Sequence, residues 1–257
     1  DIAVGLARFY PPGAVAAHIL GYVSAVTEDL RTGDPLLELP GFRVGKRGME
    51  KRHDLALRGS AGSSEVEVNA IGRVIRELRR REGLPGQRID LTIDASLQAF
   101  VAERLAAEES SAAVVLDVRN GDILAMVSTP SFNPNAFNEG LSGPEWRRLI
   151  NNPLSPLTNK AITGQYAPGS TFKIAVMLAA LDAGIPPEHE TYCPGHVKLG
   201  NQRFHCWKRR GHGNMTMIEA MRESCDVWFY KVALKLGIDK ISEAARRLGM
   251  GERLGVD

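Results

Sequence analysis

The 257-residue sequence contains no run approaching the roughly 18 apolar residues that cross a bilayer as a helix. It also lacks the basic and apolar opening of a secretory signal. Neither sign of charge dominates. Thirty-two Lys and Arg against 30 Asp and Glu leave a formal +2, which argues against a nucleic-acid partner. Basic residues gather only locally, at Lys51-Arg52, Arg79 to Arg81 and Lys208 to Arg210. Cysteine is scarce and unevenly placed: Cys193, Cys206 and Cys225 all fall in one late stretch. A disulfide framework would use an even number spread through the chain. No internal repeat is present. The chain opens at Asp1 without a methionine, which reads as a processed or cut polypeptide. The lack of a targeting segment therefore says little about its compartment.

What is there reads as globular. Hydrophobic residues at 44% and charged residues at 24% suit a packed core, and the length allows one or two domains. Residues 1–88 are rich in turn signals. "RFYPPGAVAAHILGYVS" offers a Pro-Gly turn, a short Ala-rich helix and a strand; a further short helix is expected near Met49 to Leu57. "EVEVNAIGRVIREL" reads as two strands about a Gly-containing bend. This is a small, strand-rich module without a catalytic cluster, and "EGLPGQR" reads as the linker that closes it.

From residue 89 the elements lengthen. "RIDLTID" is strand-like and ends on Asp94, a good N-cap for "ASLQAFVAERLAAEE", whose expected apolar face is Leu97, Phe100, Val101, Ala102 and Leu105. "SAAVVLDVRNGDILAMVSTP" is a hairpin about Asn120-Gly121. A helix beside such a hairpin predicts an α+β fold with an antiparallel sheet. Residues 130–168, rich in Pro, Asn and Ser, read as a long irregular excursion. Three helices follow: one opened by Ser170, one over "TMIEAMRESCDVWFYKVALKLG" and one over "DKISEAARRLGM".

The first of these carries chemistry. In "GQYAPGSTFKIAVMLAALDAG", Ser170 and Lys173 stand at i and i+3 and face the same side of a helix. A cation is disfavoured on a first turn by the helix dipole. One reading is chance. The other is that Lys173 takes a proton from Ser170, since a serine hydroxyl is a weak nucleophile until a base acts on it. A phosphate loop is a poorer fit, because Ser170 stands where the lysine after Gly169 should be.

These residues carry a resemblance. "STFK" at 170–173 is similar to the serine–x–x–lysine motif of penicillin-binding proteins and β-lactamases, and "SCD" at 224–226 to their second motif in an aspartate form. "RFYPPG", "AAHILGYV", "GKRGMEK", "EVNAIGR", "LTIDASLQ" and "NKAITGQYAPGSTFK" extend the likeness over essentially the whole chain. It resembles the class B penicillin-binding proteins, specifically the elongation-type penicillin-binding protein 2 group. The resemblance implies a partial pedestal (dimerisation-type) domain at 1–88. It implies the N-terminal portion of a serine transpeptidase, β-lactamase-like domain at 89–257. The implied activity is D,D-transpeptidation of peptidoglycan stem peptides during cell elongation, through a serine acyl-enzyme with release of D-alanine. Ser170 would be the nucleophile, Lys173 the base, Ser224 a proton relay, and Asp226 the residue that orients them. β-Lactams would acylate Ser170. A membrane glycosyltransferase partner and a membrane anchor at the periplasmic face of the inner membrane are implied as well.

The family's third motif, lysine–threonine–glycine, does not follow Asp226, so these residues alone are expected to be a poor or dead enzyme. Two other readings stay open. One is a β-lactam-binding sensor or hydrolase; the other is a noncatalytic, zinc-stabilised interaction module in which Ser170 is only a helix cap.

The cysteines support a structural zinc ion held by Cys193, Cys206, His212 and Cys225, a closed set of three thiolates and an imidazole. His196 or His205 could replace His212. A Cys193–Cys206 disulfide, or a plain buried Cys225, are the rival readings. With zinc, Cys225 would anchor the turn that presents Ser224 and Asp226. Trp228 and Phe229 are expected in the core, Trp146 in packing, Tyr166 near the cleft, and Lys208 to Arg210 in a solvated loop.

Overall fold

The computed structural model describes residues 8–30, 33–253 and 255–256. The chain divides into two compact units, one running through Gln165 and the other over Tyr166–Val256. The first thus contains both the stretch expected as a pedestal and the helix and hairpin after it. Residues 1–7 and 31–32 of that stretch, and 254 and 257 at the other end, lie outside the described residues.

In the first unit the elements are short and joined by turns. Gly13–Ala16 and Ala17–Leu20 form the Ala-rich helical segment, which Gly21 ends at a positive φ of 76°. Val23–Ala25 pairs antiparallel with Arg43–Gly45. The single helix expected near residues 49–57 is two helices, Gly48–Arg52 and Asp54–Arg58, parted at His53. Ser63–Val68 and Val74–Arg81 form the expected antiparallel pair, closed where Asn69 Oδ1 accepts from the N–H groups of Ile71 and Arg73. Its apolar alternation buries neither face, however: Val66, Val68, Val74, Ile75 and Leu78 are all exposed. A small core forms where Phe132 packs on Ala17 and Tyr22, with the Tyr22 and Phe137 rings stacked 3.7 Å apart.

"RIDLTID" is extended but is not a strand. One backbone bond, from Asp94 N–H to the Leu124 carbonyl at 2.9 Å, ties it to the hairpin. Asp94 does cap the Ala95–Leu105 helix, accepting from the N–H groups of Ser96 and Leu97 at 2.9 Å. The buried face of that helix departs from expectation. Phe100 is half exposed, whereas Gln98 is buried. Its amide donates to the Val15 and Met126 carbonyls and accepts from the Met126 N–H, each at 2.8 Å, so burial leaves no polar atom unpaired. The hairpin Ser111–Leu116 with Ile123–Thr129 forms as read, and Gly121 takes a φ of 83° that a β-carbon would oppose. The stretch 130–168 is less irregular than its composition suggests. It contains Ala136–Glu139, Gly143–Ile150 and Lys160–Thr163 as short helices. A Ser142–Glu145 capping box starts the second of them.

The second unit holds the larger core. A 3-10 turn, Gly169–Phe172, leads into the helix Lys173–Asp182. Two small antiparallel pairs follow, Thr191–Cys193 with Gly213–Met215 and His196–Leu199 with Gln202–His205. The helices Met217–Arg222, Asp226–Leu236 and Ile238–Arg247 complete it. Val176, Ala179 and Ala180 line one face of the first helix, and their small side chains let Trp228 and Phe229 pack among them. Trp228 is fully buried, as expected; truncating such a residue to alanine costs about 3–5 kcal/mol.

The long helix expected over residues 216–237 is broken, and the break is the main departure in this unit. Thr216 and Glu219 form a capping box that starts Met217–Arg222. That helix stops in a Schellman turn: Cys225 N–H reaches the Ala220 carbonyl at 2.8 Å, and Ser224 N–H reaches that of Met221 at 3.2 Å. The left-handed position of this turn usually takes glycine. Here it is Ser224, at φ 51°. Cys225 then serves as the N-cap residue of a new helix whose first residue is Asp226.

Candidate active site and metal-ligand cluster

Ser170 lies on the 3-10 turn and Lys173 is the first residue of the α-helix that continues it. Gly169, at φ 54°, makes the entry tight. Lys173 is buried, 8% exposed, with its Nζ 5.5 Å from the centre of the Phe229 ring. All three hydrogens of that ammonium are used. They go to the Ser224 carbonyl at 2.9 Å, Ser224 Oγ at 3.0 Å and Asp226 Oδ1 at 2.6 Å.

Ser224 Oγ in turn donates to Ser170 Oγ at 2.9 Å. The order of the wire is therefore Ser170, Ser224, Lys173. The expectation that Ser170 and Lys173 meet directly needs correcting: among the described residues no hydrogen bond joins them. The reason is geometric. The 3-10 turn keeps residues at i and i+3 in line but spaces them about 6 Å apart along the axis, against about 4.5 Å in an α-helix, and the left-handed Ser224 brings its hydroxyl between them. Asp226 holds the far end. Its Oδ2 accepts from the Trp207 N–H at 3.1 Å, while the Trp207 indole donates to the Glu223 carbonyl at 2.9 Å. Trp207 was not singled out for this contact. A backbone donor has no residue-type signature, so no sequence signal marks it.

Behind this site Cys193, Cys206, His212 and Cys225 converge, with their ligand atoms all within 4.8 Å of one another. The three cysteines are free and buried. His212 Nδ1 lies 3.5 Å from Cys206 Sγ and 3.7 Å from Cys193 Sγ. A tetrahedral metal with zinc-like bonds would set each nitrogen–sulfur edge at about 3.6 Å. The donor set and its spacing fit zinc. His196 and His205 instead face each other across their strand pair, with rings 6.0 Å apart, and stand outside the cluster.

Two glycines make this packing possible. A β-carbon on Gly195 would sit 2.2 Å from the Arg209 carbonyl oxygen, and one on Gly211 would sit 2.2 Å from that of Cys193. Burial pushes the Cys225 thiol up to about 12, so without a cation there it stays protonated. Burial lowers His212, keeping its imidazole neutral and able to ligate. Its Nε2 is buried without a partner.

Comparison with known proteins shows the family of the chain. Residues 111–257 match the penicillin binding protein transpeptidase domain, and residues 1–91 match the penicillin-binding protein dimerisation domain. The chain is 40% identical over 258 residues to the peptidoglycan D,D-transpeptidase MrdA of Escherichia coli K12, covering 97% of this chain and 41% of that protein. It is 36% identical over 260 residues to MrdA of Acinetobacter baumannii, covering 100% and 38%. Among solved structures, PBP2 of Helicobacter pylori in complex with MreC superposes with a TM-score of 0.87 at 33% identity, covering 96% of this chain and 46% of that one. PBP2 of Pseudomonas aeruginosa in complex with WCK 5153 gives 0.81 at 34%, covering 98% and 52%. The chain spans about two fifths of the length of the MrdA relatives. With more than half of its residues inside the transpeptidase match, this chain belongs to the penicillin-binding protein transpeptidase family.

Proposed function

We propose that these residues are part of a peptidoglycan D,D-transpeptidase of the elongation type, with Ser170 as its nucleophile. The observation that carries the reading is the hydrogen-bonded series from Ser170 through Ser224 to Lys173. A helix-cap serine would spend its hydroxyl on its own helix; Ser170 accepts instead from a residue of another segment. The turn and helix that carry Ser170 and Lys173 have no side-chain cap bond.

The wire runs in either direction. With Lys173 neutral, Ser170 gives its proton to Ser224 Oγ and Ser224 gives its own to Lys173 Nζ. Ser170 Oγ then bonds to the carbonyl carbon of the terminal D-alanyl–D-alanine link. As that C–N bond breaks, the departing amine takes a proton back along the same path from Lys173, which returns to neutral. An amine of a second stem peptide attacks the ester, loses a proton through the relay and restores the Ser170 hydroxyl. Asp226 positions the Lys173 side chain throughout.

Zinc is proposed at Cys193, Cys206, His212 and Cys225. Bound there, it would supply rigidity rather than an activated water, because four protein ligands close its coordination. The partition into a pedestal at 1–88 and a transpeptidase portion at 89–257 is proposed with it. So is a membrane-associated, periplasmic setting with a glycosyltransferase partner; no helix among the described residues is long and apolar enough to cross a membrane. The H. pylori neighbour, solved in complex with MreC, supports assembly with a partner protein. Release of D-alanine from a pentapeptide donor by the full-length protein, with cross-linked product, tests the reading. Hydrolysed product alone would favour a hydrolase instead.

A further inference from the structure

The "GKRGMEK" stretch builds a second feature, entirely within the first unit and unused by the relay. Lys46, Arg47, Lys51 and Arg52 line a cavity of about 690 Å³. Among the described residues no carboxylate lines it. Among the described residues, none of these four cations has an acidic partner within ion-pair distance. Glu50, on the same short helix, is turned away and spent on Arg8 at 3.0 Å and Tyr10 at 3.3 Å. The Lys46 charge reaches Asp29, whose carboxyl it helps to lower, and that ammonium is itself held on Thr27 Oγ1. Arg47, Lys51 and Arg52 keep uncompensated charge facing a concave space.

The cavity is built rather than incidental. Arg47 and Gly48 cross the Ile19–Gly21 turn at close range. A β-carbon on Gly21 would lie 1.8 Å from the Arg47 carbonyl oxygen, and one on Gly48 would lie 2.4 Å from that of Ile19. The Arg47 guanidinium is aimed by a bond to the Leu157 carbonyl at 3.2 Å, which leaves most of its N–H donors unspent. His18 gives its Nε2–H to the Pro156 carbonyl at 2.7 Å and closes one wall. Phe132 supplies an apolar patch, and Asn159 and Thr163 supply neutral polar groups on the other side.

We infer that this cavity binds a ligand of the phosphate class, a diphosphate or a phosphate-bearing lipid headgroup, on Arg47, Lys51 and Arg52. Two guanidinium groups and an ammonium match a multiply charged, multi-oxygen anion through charge-assisted bonds. The volume is in the range of small-molecule sites and larger than one inorganic phosphate needs. It therefore leaves room for the group that carries the phosphates against Phe132. The inference does not depend on the transpeptidase reading, because it uses none of that site's residues.

The test measures binding of inorganic pyrophosphate to the 257-residue chain by calorimetry. In parallel it measures co-sedimentation with phosphatidylglycerol-containing vesicles against pure phosphatidylcholine vesicles. Lys51→Gln with Arg52→Gln removes two exposed cations without touching the packed Arg47 backbone. Lys208→Gln with Arg209→Gln removes the same charge from the exposed loop and serves as the control. We expect at least about tenfold weaker binding for the first pair and less than about twofold for the second. Saturable pyrophosphate binding identifies a soluble diphosphate as sufficient. Binding to the anionic vesicles alone, sensitive to the same pair, identifies the headgroup. No binding in either arm, or equal loss with both pairs, overturns the inference. Thermal melts of all variants confirm that each is folded before it is compared.

Discussion

The backbone N–H of Trp207 donates to Asp226 Oδ2 across 3.1 Å, and Trp207 directly follows Cys206 in the chain. The metal-ligand cluster therefore reaches the candidate active site by two routes. Cys225 lies between Ser224 and Asp226, and Cys206 sets the backbone that holds Asp226 from the other side. A change in the cluster should be felt at Lys173 without any contact between them.

That coupling gives the first prediction. Cys206→Ser in the full-length protein should lose zinc, measured by elemental analysis after purification without added metal. It should also slow acylation by about 10- to 100-fold. The mass of the β-lactam adduct, when it forms, should be unchanged, because Ser170 is intact. Full metal loss with wild-type acylation would separate the cluster from the site.

Ser224 offers a more pointed variant. Its left-handed φ of 51° suits glycine, so Ser224→Gly should stabilise the fold by about 0.5–1 kcal/mol by relieving that strain. The same change removes the relay hydroxyl, and acylation should fall by about 10²- to 10⁴-fold. Denaturant unfolding and stopped-flow acylation read the two effects separately. A destabilised variant, or a stabilised one that acylates normally, would contradict the roles given to Ser224.

A pH effect is expected in the first unit. Burial lowers the His18 pKa; the fields of Lys160 and Arg47 add to this, and the bond to the Pro156 carbonyl opposes it. The folded state thus binds a proton less readily than the unfolded chain. The stability this confers is complete above the unfolded value of about 6.5 and is lost as pH falls through the lower folded value. Urea unfolding of the wild type should weaken over that window, and His18→Gln should flatten the dependence. An unchanged slope in the variant would assign the effect elsewhere.

Much of this was readable from residues alone, and the misses have physical causes. Asp94 and the Asn120-Gly121 hairpin each carry a local rule, and each stands where that rule puts it. The four clustered side chains were legible as a complete set of cysteines with one nearby histidine. Their convergence depends on strand pairing of Cys193 with Gly213, which no spacing states. Two departures arose where tertiary bonds override periodicity. Gln98 is buried because three backbone partners await its amide, and Phe100 is not. The helix over 216–237 looked continuous because its apolar spacing barely falters across Glu223 to Cys225. What breaks it is a left-handed residue of a type that rarely takes that conformation. The contact of Ser170 with Ser224 rather than Lys173 follows from that break.

The central claim is that Ser170 is the nucleophile of a relay through Ser224 to Lys173. Intact-mass measurement of the full-length protein after exposure to a β-lactam, followed by peptide mapping, tests it most directly. The account predicts a single covalent adduct on the peptide containing Ser170, absent in Ser170→Ala and formed far more slowly in Lys173→Ala. An adduct that persists in Ser170→Ala, or none in the folded wild-type protein, would contradict it.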